Sequence, residues 1–168
     1  MTEAAVTVFF PLLMVFAALS DVATMTISNR ISLALVVGFV PVALLVGAPL
    51  DAIGLHVACG LAVFVLTFAM FSLGLIGGGD AKLASATALW LGWDVLMNYG
   101  LVTAVFGGAL SIALLAVRKV PLPRLLLDRK WIARLHSPET GIPYGVALAA
   151  GGLVVYPESL VWLRAVTA

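Results

Sequence analysis

Two aspartates are the residues of this chain whose type and position best suit chemistry. Asp21 ends the first long apolar run, and Asp80 follows three glycines just before another apolar run begins. A carboxylate at the edge of a hydrocarbon layer is costly, so such residues in a membrane protein indicate a functional site. Two neighbouring carboxyl groups share one proton, which leaves one of them as a base and the other as an acid. A pair on the same side of a membrane is therefore the minimum that aspartic-protease chemistry requires.

The glycines before Asp80 suit this chemistry because of what they permit in the backbone. Gly77, Gly78 and Gly79 form an unbroken cluster. Glycine adopts unusual dihedral angles and lets another backbone approach closely, as a peptide substrate must. Asp80 is also a favoured residue at the N-cap of a helix, and residues 81–86 suit the first turns of the helix that it would cap. A glycine-rich turn with a capping aspartate and no catalytic role is the alternative interpretation.

The composition indicates the class of protein. The chain has 168 residues, of which 63% are hydrophobic and 10% are charged, and its mean hydropathy is +1.19. Soluble domains have about 45–50% apolar and about 25% charged residues, so we predict an all-α integral membrane protein. The net charge of +1 predicts no nucleic-acid partner. The lone cysteine, Cys59, excludes an intrachain disulfide and is expected in the core.

Six apolar runs approach the length of about 20 residues that a membrane-spanning helix needs. The predicted spans are about 4–20, 31–50, 53–74, 81–97, 99–117 and 141–163. Glu3 and the absence of Lys or Arg before the first run favour a permanent span over a cleavable signal. Short breaks near 47–51 and 93–98 predict tight helical hairpins. The chain, 1–168, is thus predicted to be a single membrane domain with a basic loop at 118–140.

The distribution of cations predicts the orientation of the spans. The breaks after the first, third and fifth spans share one side and hold eight of the nine Lys and Arg residues, namely Arg30, Lys82, Arg118, Lys119, Arg124, Arg129, Lys130 and Arg134. The positive-inside rule places these breaks in the cytoplasm and both termini outside, an N-out and C-out topology. Asp21 and Asp80 then lie together at the cytoplasmic face. Trp90 and Trp93 are expected near the outer interface.

Three segments carry a family resemblance. Asp21 is followed by Ile27-Ser28-Asn29, Asp80 lies in Gly77-Gly78-Gly79-Asp80-Ala81-Lys82-Leu83, and Ile142-Pro143-Tyr144-Gly145 opens the last apolar run. In this order the segments resemble those of the type IV prepilin peptidases, membrane aspartic proteases of the GxGD type. The second segment matches the family's catalytic segment fully, including its lysine. In the first segment Ser28 replaces the family's proline, which loosens the turn but keeps the acid and the amide.

The resemblance implies a site and a substrate. Asp21 and Asp80 would be catalytic, activating a water molecule and protonating the leaving amine, while the three glycines, Asn29 and Lys82 would support the motif or the substrate. It implies no metal and no cofactor. The substrate would be a prepilin or pseudopilin precursor, with a basic leader in the cytoplasm and an apolar stem in the lipid bilayer. The protein would be a multi-pass protein of the bacterial inner membrane, in association with pilus assembly machinery.

The resemblance also points to one branch of the family. Larger members carry a cysteine-bearing cytoplasmic segment and methylate the new pilin N-terminus. This chain has no such insertion between its first two spans and no cysteine cluster. It is similar to the short form associated with Flp/Tad-type pili, which implies cleavage without N-methyltransferase activity.

Other interpretations stay open at this stage. The two acids would also suit a proton relay in a small transporter or channel subunit, or the chain would be a non-catalytic assembly factor. Lys82 would also suit a snorkelling membrane anchor. In the basic loop, Leu127, Trp131 and Leu135 recur every four residues, which predicts a short helix on the membrane surface. The loop's cations would hold anionic lipid, help seat the substrate, or only set the topology.

Overall fold

The computed structural model describes residues 2–167, without the side chains of residues 2–6 and 124, so residues 1 and 168 of the predicted domain lie outside it. Within this range the chain forms helices and no strand, which confirms the all-α prediction. The α-helices are α1 (Thr2–Thr24), α2 (Asn29–Leu45), α3 (Leu50–Ser72), α4 (Gly78–Leu91), α5 (Trp93–Arg118), α6 (Arg124–Leu127), α7 (Lys130–His136), α8 (Tyr144–Val155) and α9 (Leu160–Thr167). A 3₁₀ turn, Tyr156–Glu158, separates the last two.

The helices α1 and α8 run antiparallel and define the two ends of the bundle. At one end the side chain of Asp21 contacts the backbone of Gly145. At the other end the ring of Phe10 stacks on that of Tyr156, with centroids 4.4 Å apart. We call the first end the Asp21 end and the second the Tyr156 end.

The helices α3 and α4 form a second antiparallel pair. At the Asp21 end, the hydroxyl of Thr67 donates to the carbonyl of Ala81 over 3.2 Å. At the Tyr156 end, Nδ1 of His56 is 2.9 Å from the carbonyl oxygen of Leu89. The two contacts show that α3 and α4 form a tight helical hairpin. The break between them, residues 73–77, is short enough for such a hairpin.

The chain reverses at Gly92, between α4 and α5. Gly92 has a φ of +74°, a left-handed conformation that costs glycine little and other residues more. Seven residues later, the hydroxyl of Tyr99 lies beside that of Thr87, so α5 returns along α4. The predicted break at 93–98 was therefore misplaced, because Asp94 and Asn98 already lie within α5.

Several of these helices suit a membrane. In the part of the chain that the structure describes, three helical stretches are long and apolar enough to cross one. A fourth is added if α8 and α9, bent by 46° at the 3₁₀ turn, count as one span. The three are Thr7–Thr24, Leu50–Ser72 and Gly78–Arg118, the last comprising both α4 and α5. The helix α2 is apolar but shorter. These are the helices of a membrane protein, while six crossings and the N-out, C-out orientation stay predictions.

Three other boundaries differ from those predicted. The last predicted span, 141–163, is interrupted where Pro157 lacks the N–H that a continuous helix needs. The helix α4 begins at Gly78 with Gly77 as its N-cap, so the prediction that Asp80 caps it was wrong. The surface helix predicted in the basic loop is split, since Leu127 ends α6 whereas Trp131 and Leu135 lie in α7.

The core centres on Trp90, which was expected at the outer interface. Its side chain is fully buried, and its ring packs against those of Phe9, Phe10 and Phe39 with centroids 5.4 to 5.7 Å apart. Its indole N–H donates to the carbonyl of Leu35 over 2.9 Å, which satisfies the one polar atom of the ring. Trp90 therefore packs inside the bundle, and its position relative to the outer interface stays a prediction. Cys59 is buried, as expected.

Candidate active site

Asp21 lies in the last turn of α1, where its side chain is 5% exposed. The backbone N–H of Gly145 donates to its Oδ2 atom over 2.7 Å. Gly145 belongs to the first turn of α8, where N–H groups have no partner within the helix and attract anions. The segment Ile142–Gly145, noted from sequence without a role, therefore supplies a donor to the first candidate acid.

Asp80 is the third residue of α4, and its carboxyl group accepts a hydrogen bond from the backbone N–H of Gly77. This is the acidic half of a capping box, in which the third helical residue reaches back to the N-cap. The carboxyl groups of Asp80 and Asp21 are close enough to interact electrostatically. The structure thus brings the two predicted acids together at the Asp21 end, although it does not by itself assign them a reaction.

The glycines of the cluster allow close packing around the pair. A Cβ on Gly79 would lie 3.3 Å from the Cβ of Ile27, and one on Gly78 would lie 3.1 Å from the ring of Phe71. The same isoleucine restricts α8, because a Cβ on Gly145 would lie 2.7 Å from its Cδ1 atom. Ile27 therefore packs between the turn that carries Asp80 and the helix that contacts Asp21.

Asn29 and Lys82 meet at the edge of this site. The ammonium group of Lys82 donates to Oδ1 of Asn29 over 3.0 Å, which links α4 to the start of α2. Ser28 is the N-cap of α2, and its hydroxyl accepts from the N–H of Arg30 over 3.3 Å. The serine that replaces the family's proline thus starts the helix on which Asn29 lies. Both side chains of the Asn29–Lys82 pair are exposed.

Two arginines fasten the basic loop to the bundle, which sequence reasoning missed. Arg134, in α7, donates to the carbonyl of Ala23 at the end of α1 over 3.2 Å. Arg118, the last residue of α5, donates to the backbone carbonyls of Leu135, Thr140 and Gly141 at 2.8, 2.9 and 2.9 Å. The loop therefore folds over the Asp21 end, and its last residues are held just before the start of α8.

A polar patch also lies inside the bundle near Asp80. The hydroxyl of Tyr99 is close to those of Thr87 and Thr103 and within electrostatic reach of Asp80. The three side chains are buried, at 4%, 0% and 6% exposure respectively. No sequence signal indicated this patch, because isolated threonines and tyrosines are common in apolar helices. Among the described residues, no group of three or more His, Cys, Asp or Glu side chains is arranged to hold a metal ion.

Comparisons with known proteins agree with the motifs. The model of the type IV leader peptidase family matches residues 8–112. Two curated proteins named prepilin leader peptidase/N-methyltransferase, from Burkholderia pseudomallei strains 1026b and K96243, are each 38% identical to the chain over 77 residues. The matched part covers 46% of this chain and 20% of each relative. No solved structure matches the chain significantly.

Proposed function

Because the chain belongs to the type IV leader peptidase family, we propose that it is an aspartic endopeptidase that removes the leader peptide from prepilins or pseudopilins. The observation that carries this proposal is that Asp21 and Asp80 lie at the same end of the bundle, where Ile27 packs between Gly79, next to Asp80, and Gly145, which donates to Asp21. Residues far apart in sequence and on different helices provide the two acids that the reaction needs.

The proposed mechanism uses one ionised and one protonated carboxyl group. The ionised group takes a proton from a water molecule, whose oxygen attacks the carbonyl carbon of the scissile peptide bond. The protonated group stabilises the oxyanion and then supplies a proton to the leaving amine as the carbon–nitrogen bond breaks. The products are a leader with a new carboxylate and a mature pilin with a free amine. The N–H groups of Gly145 and Gly77 orient the two carboxyl groups during these steps.

The proposal also covers the location of the site in the cell and the branch of the family to which the chain belongs. The cations of the breaks at the Asp21 end support a position of the site at the cytoplasmic face of the bacterial inner membrane. We propose Flp-type prepilins as substrates and no N-methyltransferase activity, on the basis of the short-form resemblance. The matched relatives carry the methyltransferase name, but the chain spans only 20% of their length.

A proton relay is the competing function for two acids in a membrane protein. Two features support cleavage over a relay. A cluster of three glycines at residues 77–79 lies beside Asp80, where Gly78 packs closely against Phe71 and Gly79 against Ile27. The Asn29–Lys82 pair offers polar groups at the exposed edge of the site. A relay needs neither a glycine turn nor exposed donors beside its acid.

The test is to incubate the purified protein in detergent or proteoliposomes with prepilins encoded near its gene. Mass spectrometry should detect the released leader and a mature pilin with an unmodified amine, also in the presence of S-adenosylmethionine. Ion flux through proteoliposomes without cleavage of any candidate would favour the relay instead. A methylated pilin N-terminus would contradict the proposed lack of N-methyltransferase activity but not the proposed cleavage.

A further inference from the structure

A groove of about 520 Å³ lies between α2, α3 and α4. Its floor is one face of α4, formed by Lys82, Ser85, Ala86 and Leu89, which recur at helical spacing. Its walls are formed by α2 and α3 and are mainly apolar, with Asn29 and Ser32 as the polar residues of the α2 wall. Because both of these helices pack on α4, the groove is a slot between them that is open on the side away from α4.

The groove has two defined ends. At the Asp21 end it begins at the hydrogen bond between Asn29 and Lys82. At the Tyr156 end, α2 and α3 come together, where the ring of Phe39 stacks on that of His56 with centroids 5.4 Å apart. The ten helical steps from Asn29 to Phe39 span about 15 Å, which is half of a hydrocarbon layer of about 30 Å.

The mouth of the groove lies near the candidate active site. Lys82, at its mouth, follows Asp80 by two residues on α4. Asn29 follows Ile27 by two residues, and Ile27 packs against the positions of both Gly79 and Gly145. The side chains of Asp80 and Lys82 lie on different sides of α4, because residues two apart in a helix do not face each other. A chain segment that leaves the groove at this end would therefore pass around the first turn of α4 to reach the carboxyl groups.

We propose that this groove seats the apolar helical stem that follows the scissile bond of a prepilin, an inference that rests on the proposed peptidase function. Apolar walls suit the stem, and the small side chains of Ser85 and Ala86 on the floor add little bulk beneath it. At the mouth, Lys82 and Asn29 provide N–H donors for carbonyl oxygens of the unwound peptide around the scissile bond. The groove would hold about three turns of helix, with the leader extending past the carboxyl pair.

The first test fills the groove with tryptophan. Val36→Trp on α2 and Leu61→Trp on α3 place an indole at the lining, whereas Val37→Trp and Val65→Trp alter neighbouring residues that are 63% and 68% exposed and do not line it. The groove variants should lower kcat/KM for prepilin by about tenfold or more, mainly through KM, because they obstruct substrate binding rather than chemistry. The two control variants should stay near wild type. Size-exclusion profiles and thermal unfolding in detergent identify any variant that does not fold.

The second test does not depend on cleavage activity or on whether the protein folds with a tryptophan in the groove. A photo-crosslinking amino acid replaces Val36 or Leu61 in an Asp21→Asn background, and Val37 or Val65 in the controls. Crosslinks from the groove positions to the stem of an added prepilin, absent from the controls, would support the groove. If they form although the wild-type protein cleaves no prepilin, the proposed function fails while the binding groove stands. Crosslinks from the groove to lipid alone, with wild-type cleavage intact and equal KM values for groove and control variants, would overturn the groove proposal.

Discussion

The backbone N–H of Gly145 donates to Oδ2 of Asp21 over 2.7 Å and so joins two residues 124 positions apart. The donor belongs to a free helix N-terminus and the acceptor to the end of another helix, so the contact fixes the position of the carboxyl group relative to α8. Pro143 precedes it as the N-cap of α8. The segment 142–145 therefore positions the carboxyl group of Asp21.

Gly145→Ala should disrupt this contact. The added methyl group would lie 2.7 Å from Oδ2 of Asp21 and 2.7 Å from Cδ1 of Ile27, so the carboxyl group or α8 must shift. A shift of about 1 Å at a catalytic group can cost about a hundredfold in rate, and we expect a loss of that order in prepilin cleavage. The matched control is Gly141→Ala, since a Cβ on Gly141 would have no neighbour within 4 Å. Equal cleavage by both variants would contradict the positioning role of Gly145.

Replacing either acid by its amide should abolish cleavage. A shared-proton mechanism needs both carboxyl groups, so Asp21→Asn and Asp80→Asn should each lower kcat by about a thousandfold or more. Asp94→Asn makes the same change in the first turn of α5, at the other end of that helix from the basic loop, and should stay near wild type. Pilin maturation followed by gel shift in cells, with membrane levels of each variant measured, provides the readout. Substantial maturation with either Asp21→Asn or Asp80→Asn would remove that residue from the catalytic pair.

Arg118→Met should loosen the segment before α8. The guanidinium holds three backbone carbonyls between residues 135 and 141, and a methionine side chain offers no donor to any of them. We expect faster proteolysis within this segment and slower prepilin cleavage. Lys119→Met removes a charge from the neighbouring exposed residue and serves as the control. If both variants are cut at the same rate, Arg118 does not secure the loop.

The predicted topology can be tested by cysteine labelling. In a Cys59→Ala background, Glu139→Cys places a thiol in the exposed part of the basic loop and Asp51→Cys places one at the start of α3. A membrane-impermeant maleimide added to intact spheroplasts should label residue 51 and reach residue 139 only after permeabilisation. The reverse pattern would place Asp21 and Asp80 on the periplasmic side and remove the proposed access to a cytoplasmic leader.

The sequence could predict that Asp21 and Asp80 lie at the same end of the bundle, because this result needs only apolar runs that alternate in direction. The chain reverses direction at each polar break between two apolar runs. The end of the first run and the start of the fourth therefore lie at the same end of the bundle. The break near Gly92 was misplaced for a local reason. The prediction placed the break at the polar residues Asp94 and Asn98. The chain instead turns at Gly92, which has a left-handed conformation.

Other features had no signal that single-sequence reasoning can read. In a membrane helix the core-facing and lipid-facing side chains are both apolar, so hydropathy could not tell that Trp90 is buried. The bonds from Gly145 to Asp21 and from Arg118 to three carbonyls depend on how distant helices are placed. Ser28 looked like a weakened turn, yet it caps α2 through its hydroxyl group.

Close packing between α3 and α4 should depend on Gly60. A Cβ on this residue would lie 2.9 Å from the Cβ and 3.3 Å from the Cα of Leu89, so Gly60→Ala must push the helices apart. We expect a loss of about 1–3 kcal/mol in the free energy of unfolding, the usual cost of overpacking a core. Gly54→Ala is the control on the same helix, because a Cβ there has no neighbour within 4 Å and alanine should add up to about 1 kcal/mol through helix propensity. Denaturant unfolding in mixed micelles compares the two variants, and a Gly60→Ala protein as stable as Gly54→Ala would show that α3 and α4 do not need this close approach.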